Sequence, residues 1–223
     1  MPDFTPFWIS LKVAVISTII VMILSIIIAR LLYRGTGHFT KLLESLILLP
    51  IVLPPTVMGF ILLIIFSPRG FVGQFFQNVL HLPVVFTMTG AVIASVIVSF
   101  PLMYQHTVQG FRNIEPKMLN TARTMGASEN KIFFKLILPL SKRAILAGIM
   151  MSFARAIGEF GATLMLAGYI PNKTNTLPLE IYFLVEQSRE NEAWLWVLVL
   201  VAFSIAVIGT LNFANRDKYR EVD

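Results

Sequence analysis

Two ionisable residues, Arg155 and Glu159, stand four apart in the otherwise apolar stretch SFARAIGEFGAT, and that spacing places them on one face of a helix. Charges deep in an apolar segment are costly, and they usually face a protein interior or an aqueous cavity. Two chemistries fit: a pair lining the path of an ion, or a structural pair that locks helix packing. Gly158 and Gly161 beside them permit close approach of another helix, which suits either reading. Other reactive groups are sparse. There is no cysteine, and His38, His81 and His106 are scattered without ligand spacing, so neither a disulfide framework nor a metal site is expected. No G-x-x-x-x-G-K-[ST] or other glycine-rich phosphate cradle occurs, so ATP hydrolysis by this chain is not expected. No nucleophile and base stand in an arrangement that points to an enzyme.

A second constellation lies in FRNIEPKMLNTARTMGASENKIFFKLILPLSKRAI. Seven basic residues fall between positions 112 and 143, namely Arg112, Lys117, Arg123, Lys131, Lys135, Lys142 and Arg143. Pro116 suits a first helical position, and Gly126 suits a helix stop with Ala127 and Ser128 leading into a new helix. Pro139 is expected to end that second helix. The segment is read as a loop outside the lipid, spanning 110–142. It either serves only to orient the chain or forms a docking element. A third feature is LPIVLPPTVMG, where Pro50, Pro54 and Pro55 interrupt an apolar run. Prolines free backbone carbonyls, which lipid does not satisfy, so the segment is either a kink or is buried in protein or lined by water.

The elements that must position these residues are membrane helices. The chain has 223 residues, 56% of them hydrophobic and 13% charged, with a mean hydropathy of +0.77. At about 20 residues per span, this length holds five or six spans but no separate soluble domain. The expected class is all-α, a polytopic membrane protein with five transmembrane helices at approximately 10–33, 45–67, 86–107, 143–169 and 193–214. The N-terminal stretch MPDFTPFWIS carries Asp3 and no basic residue, and the apolar run behind it is too long for a cleaved signal, so the first helix is read as a retained span. GFVGQFFQNVLHLP reads as interfacial, and LPLEIYFLV is too short to cross and is expected along the surface. No internal repeat is visible. The net charge of +6 sits at the ends of apolar runs, pointing to membrane topology and away from nucleic acid. Arg30, Arg34 and Lys41, the seven residues of the loop, and Arg216, Lys218 and Arg220 make thirteen on one side. The other side has Arg69, Lys173 and Arg189, apart from Lys12 near the head of the first span. The positive-inside tendency then places the N-terminus outside and the C-terminus in the cytoplasm.

The loop resembles that of the permease subunits of ATP-binding-cassette (ABC) importers. Those carry Glu-Ala-Ala, three residues, Gly, nine residues, and then an apolar residue, any residue and Leu-Pro. The corresponding residues here are Asn120-Thr121-Ala122, Gly126 and Leu136-Ile137-Leu138-Pro139, with Asn120 and Thr121 departing from the pattern. Over nearly its whole length the chain is similar to the oxyanion group of these permeases, in particular those for molybdate. The residues that carry this are LPIVLPPTVMGF, SPRGFVG, SFPLMYQ, ARTMGA and FARAIGEFGAT.

The resemblance implies a type I ABC importer permease fold over a single domain, 1–223, in a bacterial cytoplasmic membrane. It implies a pair of identical permeases in the lipid bilayer, fed by an extracytoplasmic molybdate-binding protein and driven by two ABC ATPase subunits. ATP and Mg would sit on those partners, and this chain would hold no cofactor. The expected docking helix runs from about 128 to 134, with Phe133 and Phe134 as apolar anchors. The coupling residues would be Ala122, Gly126, Ala127, Ser128, Glu129, Phe133, Phe134, Leu138 and Pro139. A translocation path would involve Pro54, Pro55, Thr56, Arg155, Glu159 and Gly161. Sulfate, thiosulfate or tungstate is the alternative substrate. A proton-coupled secondary transporter using Arg155 and Glu159 is the alternative class, and it would carry inverted repeats.

Overall fold

The computed structural model describes residues 4–215, and every regular element among them is helical. In chain order these are α1 (Thr5–Leu32), α2 (His38–Val52), α3 (Pro55–Ile65), α4 (Phe71–Asn78), α5 (Met88–Arg112) and α6 (Pro116–Thr124). There follow α7 (Glu129–Ile132), a π-helical turn (Phe133–Ile137), α8 (Leu138–Leu140), α9 (Lys142–Ile157), α10 (Gly161–Ala167), α11 (Leu177–Glu186) and α12 (Glu190–Asn215). The basic residues expected in the tail, Arg216, Lys218 and Arg220, lie outside the described residues, as does Asp3.

Helices α1, α5 and α12 are each long and apolar enough to cross a bilayer. Two further pairs pass the same test as bent units, α2 with α3 and α9 with α10, which brings the number of candidate crossings to five. The first pair bends by 116° at the prolines. Leu53 is extended (φ −72°, ψ 139°), as a residue preceding proline must be, and Pro55 opens α3 where its missing N–H leaves no bond broken. The expected break is therefore present, although α2 starts at His38 and not near 45. The fourth span, expected as one helix over 143–169, is also two pieces, bent by 60° between Ile157 and Gly161.

Helix α5 is the centre of the bundle. Its apolar window is 56% buried inside the chain, against 33% for α1 and 11% for α12, so over Glu190–Val207 α12 is mostly uncovered by the rest of the chain. Small and hydroxyl residues let α1, α5 and α9 approach closely: Ala14, Ser17, Ala91, Ala94, Ser99 and Ser152 are all buried. The Ser17 and Ser152 hydroxyls donate to Val92 O and Ser99 O across the helix contacts, at 3.3 and 3.4 Å. A methyl group on Gly148 would come within 2.9 Å of Met103 Sδ, and one on Gly110 within 2.7 Å of Ala144 Cβ, so these crossings depend on glycine.

One apolar cluster joins α1, α5 and α9 to the loop segment, with Val21, Met103, Phe111, Leu119, Ile132, Phe133 and Ile137 all buried in it. The loop is thus packed on the end of the bundle. Helix α11 is likewise no simple surface helix: Leu177, Leu179 and Leu184 are buried, and Leu184 packs with Ala193 and Trp196 of α12.

Candidate functional site

Two sites follow from the sequence, one in the loop and one at the breaks in the membrane helices. In the loop, α6 opens at Pro116 and ends at Gly126, whose φ of +79° is left-handed. Gly126 N–H donates to Arg123 O at 2.9 Å and Ala127 N–H to Ala122 O at 3.1 Å, the paired bonds of a Schellman motif. Ala122 and Ala127 both pack against the buried cluster, supplying the apolar contact that accompanies this motif. Ser128 then caps α7, its hydroxyl accepting from Lys131 N–H at 3.4 Å. The spacing of Ala122, Gly126, Ala127 and Ser128 is therefore that of one helix stop followed directly by one helix start.

Beyond Ser128 the structure differs from the sequence expectation in two respects. Pro139 does not end a helix, because the chain stays helical from Glu129 through the π turn and α8 to α9, with only Ser141 between the last two. The widened turn, with Leu138 N–H donating to Phe133 O, makes room for a proline ring that would otherwise collide with the preceding turn. There is consequently no separate docking helix over 128–134. Phe133 is also no anchor, being 4% exposed and packed edge-on against Phe111 at 5.6 Å. The apolar residues the loop leaves outside are Met118 and Met125 on α6 and its C-terminal turn, Phe134 in the π turn and Leu140 in α8, with Met125 the most exposed of them.

Glu129 is the electrostatic hub of the loop. Its two carboxylate oxygens meet Arg123 Nε at 2.8 Å and Arg34 Nη1 at 2.9 Å. These hydrogen bonds, that of Arg123 foremost and that of Arg34 next, hold its carboxyl below the ordinary carboxylate value. Arg30 donates to Asn130 and lies 4.3 Å above the Phe133 ring. The end of α1 and the start of α7 are thereby clamped together. Pattern reading missed this clamp, because residues about 95 positions apart in sequence leave no local signal.

The second site is the meeting of α3 with α10. Gly161, at the start of α10, faces Pro55 so closely that a methyl there would lie 2.9 Å from Pro55 Cβ. Gly59 on α3 faces Ala162 Cα, at 2.8 Å from such a methyl. Glu159 stands in the break between α9 and α10, past the end of α9, and not on a continuous helical face as its spacing predicts. One carboxylate oxygen accepts from Ala162 N–H at 2.8 Å, and the other lies 2.7 Å from Arg155 Nη1. The Glu159 side chain is 1% exposed and that of Arg155 31%. Glu159 therefore satisfies a donor at the start of α10 that lipid would leave bare. Gly158 has no close neighbour apart from Ala154 O, so it takes no part in the approach. Pro54, Pro55 and Thr56 remain exposed on the free side of this junction. The fold thus brings Pro55, Thr56 and Gly161 into contact, with the Arg155–Glu159 pair at the break that precedes Gly161.

Further polar contacts carry no sequence signature. Tyr104 Oη and Arg112 Nη2 both donate to Glu44 Oε1, tying α2 to α5. On the opposite end of the molecule a cavity of about 680 Å³ is lined by Tyr169, Asn175, Glu180, Arg189 and Trp196 among others, with Tyr169 Oη and Asn175 Nδ2 donating to Glu180. Among the described residues no group of acidic, histidine or cysteine side chains is placed to hold a metal ion.

Known proteins share both sequence and architecture with this chain. YvgM, a permease protein of Bacillus subtilis, is 43% identical over 205 residues, covering 92% of this chain and 90% of its own length. The molybdenum transport system permease protein ModB of Escherichia coli K12 is 35% identical over 210 residues, covering 94% and 91%. ModB of Haemophilus influenzae is 36% identical over 201 residues, covering 89% and 88%. Among solved structures, a bacterial ABC transporter that imports the acidic polysaccharide alginate matches 99% of this chain and 80% of its own with a TM-score of 0.75, at 14% identity, which shows a common fold. The family described as "Binding-protein-dependent transport system inner membrane component" matches residues 21–215, and this chain belongs to it.

Proposed function

We propose that the chain is the membrane-spanning permease of an ABC importer that brings molybdate into the cell. The observation that carries the substrate is its 35% identity to the Escherichia coli molybdenum permease over 94% of the chain. The conformational work would come from two ATPase subunits holding ATP and Mg, and the oxyanion from an extracytoplasmic binding protein. In this reading the loop over 110–142 faces the cytoplasm and docks on the ATPase through α6, with Met118, Met125 and Phe134 as its free apolar side chains. Ala122, Gly126, Ala127 and Ser128 shape that element, while Glu129, Phe133 and Leu138 fasten it to the bundle and Pro139 stands exposed after the π turn.

A second copy would complete the path. Helix α2 buries none of its residues within the chain, and Leu46 and Val52 on it are 56% and 80% exposed. Pro54, Pro55 and Thr56 continue that uncovered surface, so a two-fold pair meeting there would line its interface with them. Arg155 and Glu159 are positioning residues in this reading, since the carboxylate is already engaged on both oxygens. The thirteen-to-three distribution of basic residues supports the N-terminus outside and the C-terminus in the cytoplasm. The decisive test is reconstitution of the permease with its ATPase and binding protein in proteoliposomes. ATP-dependent uptake of labelled molybdate, not displaced by excess sulfate, is the expected result. Uptake of sulfate or thiosulfate in its place would overturn the substrate, and uptake without the ATPase would overturn the class.

A further inference from the structure

Three arginines from separate parts of the chain open onto one cavity of about 300 Å³ at the loop end of the bundle: Arg34 just beyond α1, Arg112 closing α5, and Arg123 in α6. No carboxylate is among the residues that line it. Two acids touch the arginines from outside, Glu129 between Arg34 and Arg123, and Glu44 on Arg112, which leaves the group positively charged. The guanidinium groups are also incompletely used. Arg112 donates through Nη2 to Glu44 and through Nε to Tyr33 O, and Arg123 through Nε to Glu129 and Nη1 to Asn120. Arg34 donates through Nη1 alone. Arg34 Nη2, Arg112 Nη1 and Arg123 Nη2 have no hydrogen-bond partner among the described residues, and the Arg34 guanidinium lies 5.0 Å over the Tyr33 ring. Each guanidinium has five donors in a planar fork, a geometry matched to phosphate-type oxygens. The wall behind them is apolar, formed by the buried Phe111 and Leu119. The cavity lies where α1 and α5 end, and both are helices long and apolar enough to cross a bilayer, so a lipid headgroup is one source of such an anion there.

We propose that this cavity is a binding site for a tetrahedral phosphate-type oxyanion at the membrane surface, carried on an anionic phospholipid headgroup or free in solution. It takes the crossing of the bilayer by α1 and α5 from the proposed function and adds a ligand to the loop end. An anion there cross-links the ends of α1 and α5 to α6, the proposed docking element. Occupancy therefore stiffens the connection between the loop and the membrane helices. The pairing of Glu129 and Glu44 with the same arginines offsets the repulsion that would drive the three guanidinium groups of the empty site apart, while the charge excess remains to attract the ligand.

The test is titration of the purified permease–ATPase complex in detergent with three probes: dihexanoylphosphatidylglycerol, dihexanoylphosphatidylcholine and inorganic phosphate, followed by calorimetry. Saturable binding of the phosphatidylglycerol is expected, weakened about fivefold by either Arg34→Gln or Arg123→Gln. Arg34→Lys, which keeps the charge but not the fork, is expected to retain part of it, and Arg69→Gln, remote from the cavity, all of it. Glu129→Gln breaks the same clamp but leaves all three arginines in place, and it is expected to bind the phosphatidylglycerol at least as tightly as the wild type, which separates loss of the site from loss of the clamp; loss of binding in that variant equal to the loss in the arginine variants would overturn the proposal. Arginine-dependent binding of the phosphatidylglycerol without phosphate assigns the site to lipid, and arginine-dependent binding of phosphate assigns it to a free oxyanion. Binding of neither, equal binding of the phosphatidylcholine, or binding unaffected by both glutamine variants would overturn the proposal. Because the readout is equilibrium binding, it stands apart from any failure of molybdate uptake.

Discussion

Glu159 ends one half-helix and begins the next, and its two oxygens have separate tasks. Replacing it by Gln keeps an oxygen for Ala162 N–H but loses the pairing with Arg155, whereas Ala loses both. Glu159→Ala is expected to cost about 1–2 kcal/mol through the lost cap, with Glu159→Gln costing less, readable as a fall in thermal midpoint in detergent. Both should slow transport with the complex still assembled; wild-type uptake by the Gln variant would make the ion pair purely a matter of packing. Glu129 makes a prediction about pH. Its carboxyl is held below its ordinary value, so the stabilisation from Arg123 and Arg34 is fully present above the normal carboxylate range and is lost as pH falls through the depressed value. Hydrogen exchange of the 120–132 amides is expected to quicken on acidification in the wild type but to be fast and pH-independent, after correction for intrinsic exchange, in Glu129→Gln.

At the scale of elements, two glycines carry different burdens. Gly126 has open space around its Cα, so only its φ of +79° resists substitution. Gly126→Asn is therefore expected to be tolerated, while Gly126→Val costs about 1–2 kcal/mol locally and unwinds the α6 stop. The measurement is copurification of the ATPase and its stimulation by loaded binding protein, which Val should abolish and Asn preserve. Gly161 is limited by space instead. Gly161→Ala pushes a methyl onto Pro55 and is expected to destabilise the α3–α10 contact by about 1–3 kcal/mol, seen in the thermal midpoint. Both glycines were visible in the sequence, but what separates their roles was not, since spacing says nothing of which neighbour a helix will meet. Pro139 illustrates the same limit. A proline read in isolation ends a helix, yet here the π turn before it absorbs the steric conflict and the helix runs on.

At the scale of the molecule, one face is left without a partner. A membrane protein exposes apolar side chains to lipid as a matter of course, so exposure alone does not mark an interface; prolines and a broken helix on that face do, because their freed carbonyls need protein or water. The chain has no native cysteine, which makes single-cysteine cross-linking direct. Val52→Cys or Thr56→Cys is expected to give a disulfide-linked dimer on mild oxidation in membranes. Trp194→Cys, on the uncovered start of α12, is expected to stay monomeric. The reverse pattern would place the second copy against α12.

Composition and unbroken apolar runs determined, without any structure, that the chain is an all-helical membrane protein with about five crossings, because the bilayer sets both the length and the polarity of a span. Proline placement likewise determined where α2 and α3 part, and Gly126 where α6 stops, since both act on the backbone of their own neighbourhood. Only the tertiary structure decided that Phe133 is core and Phe134 surface, that Glu159 caps a half-helix, and that Arg34, Arg112 and Arg123 converge on one cavity. Those are facts about residues far apart in sequence. They depend on which helices pack together and at what angle, and local spacing carries no record of that.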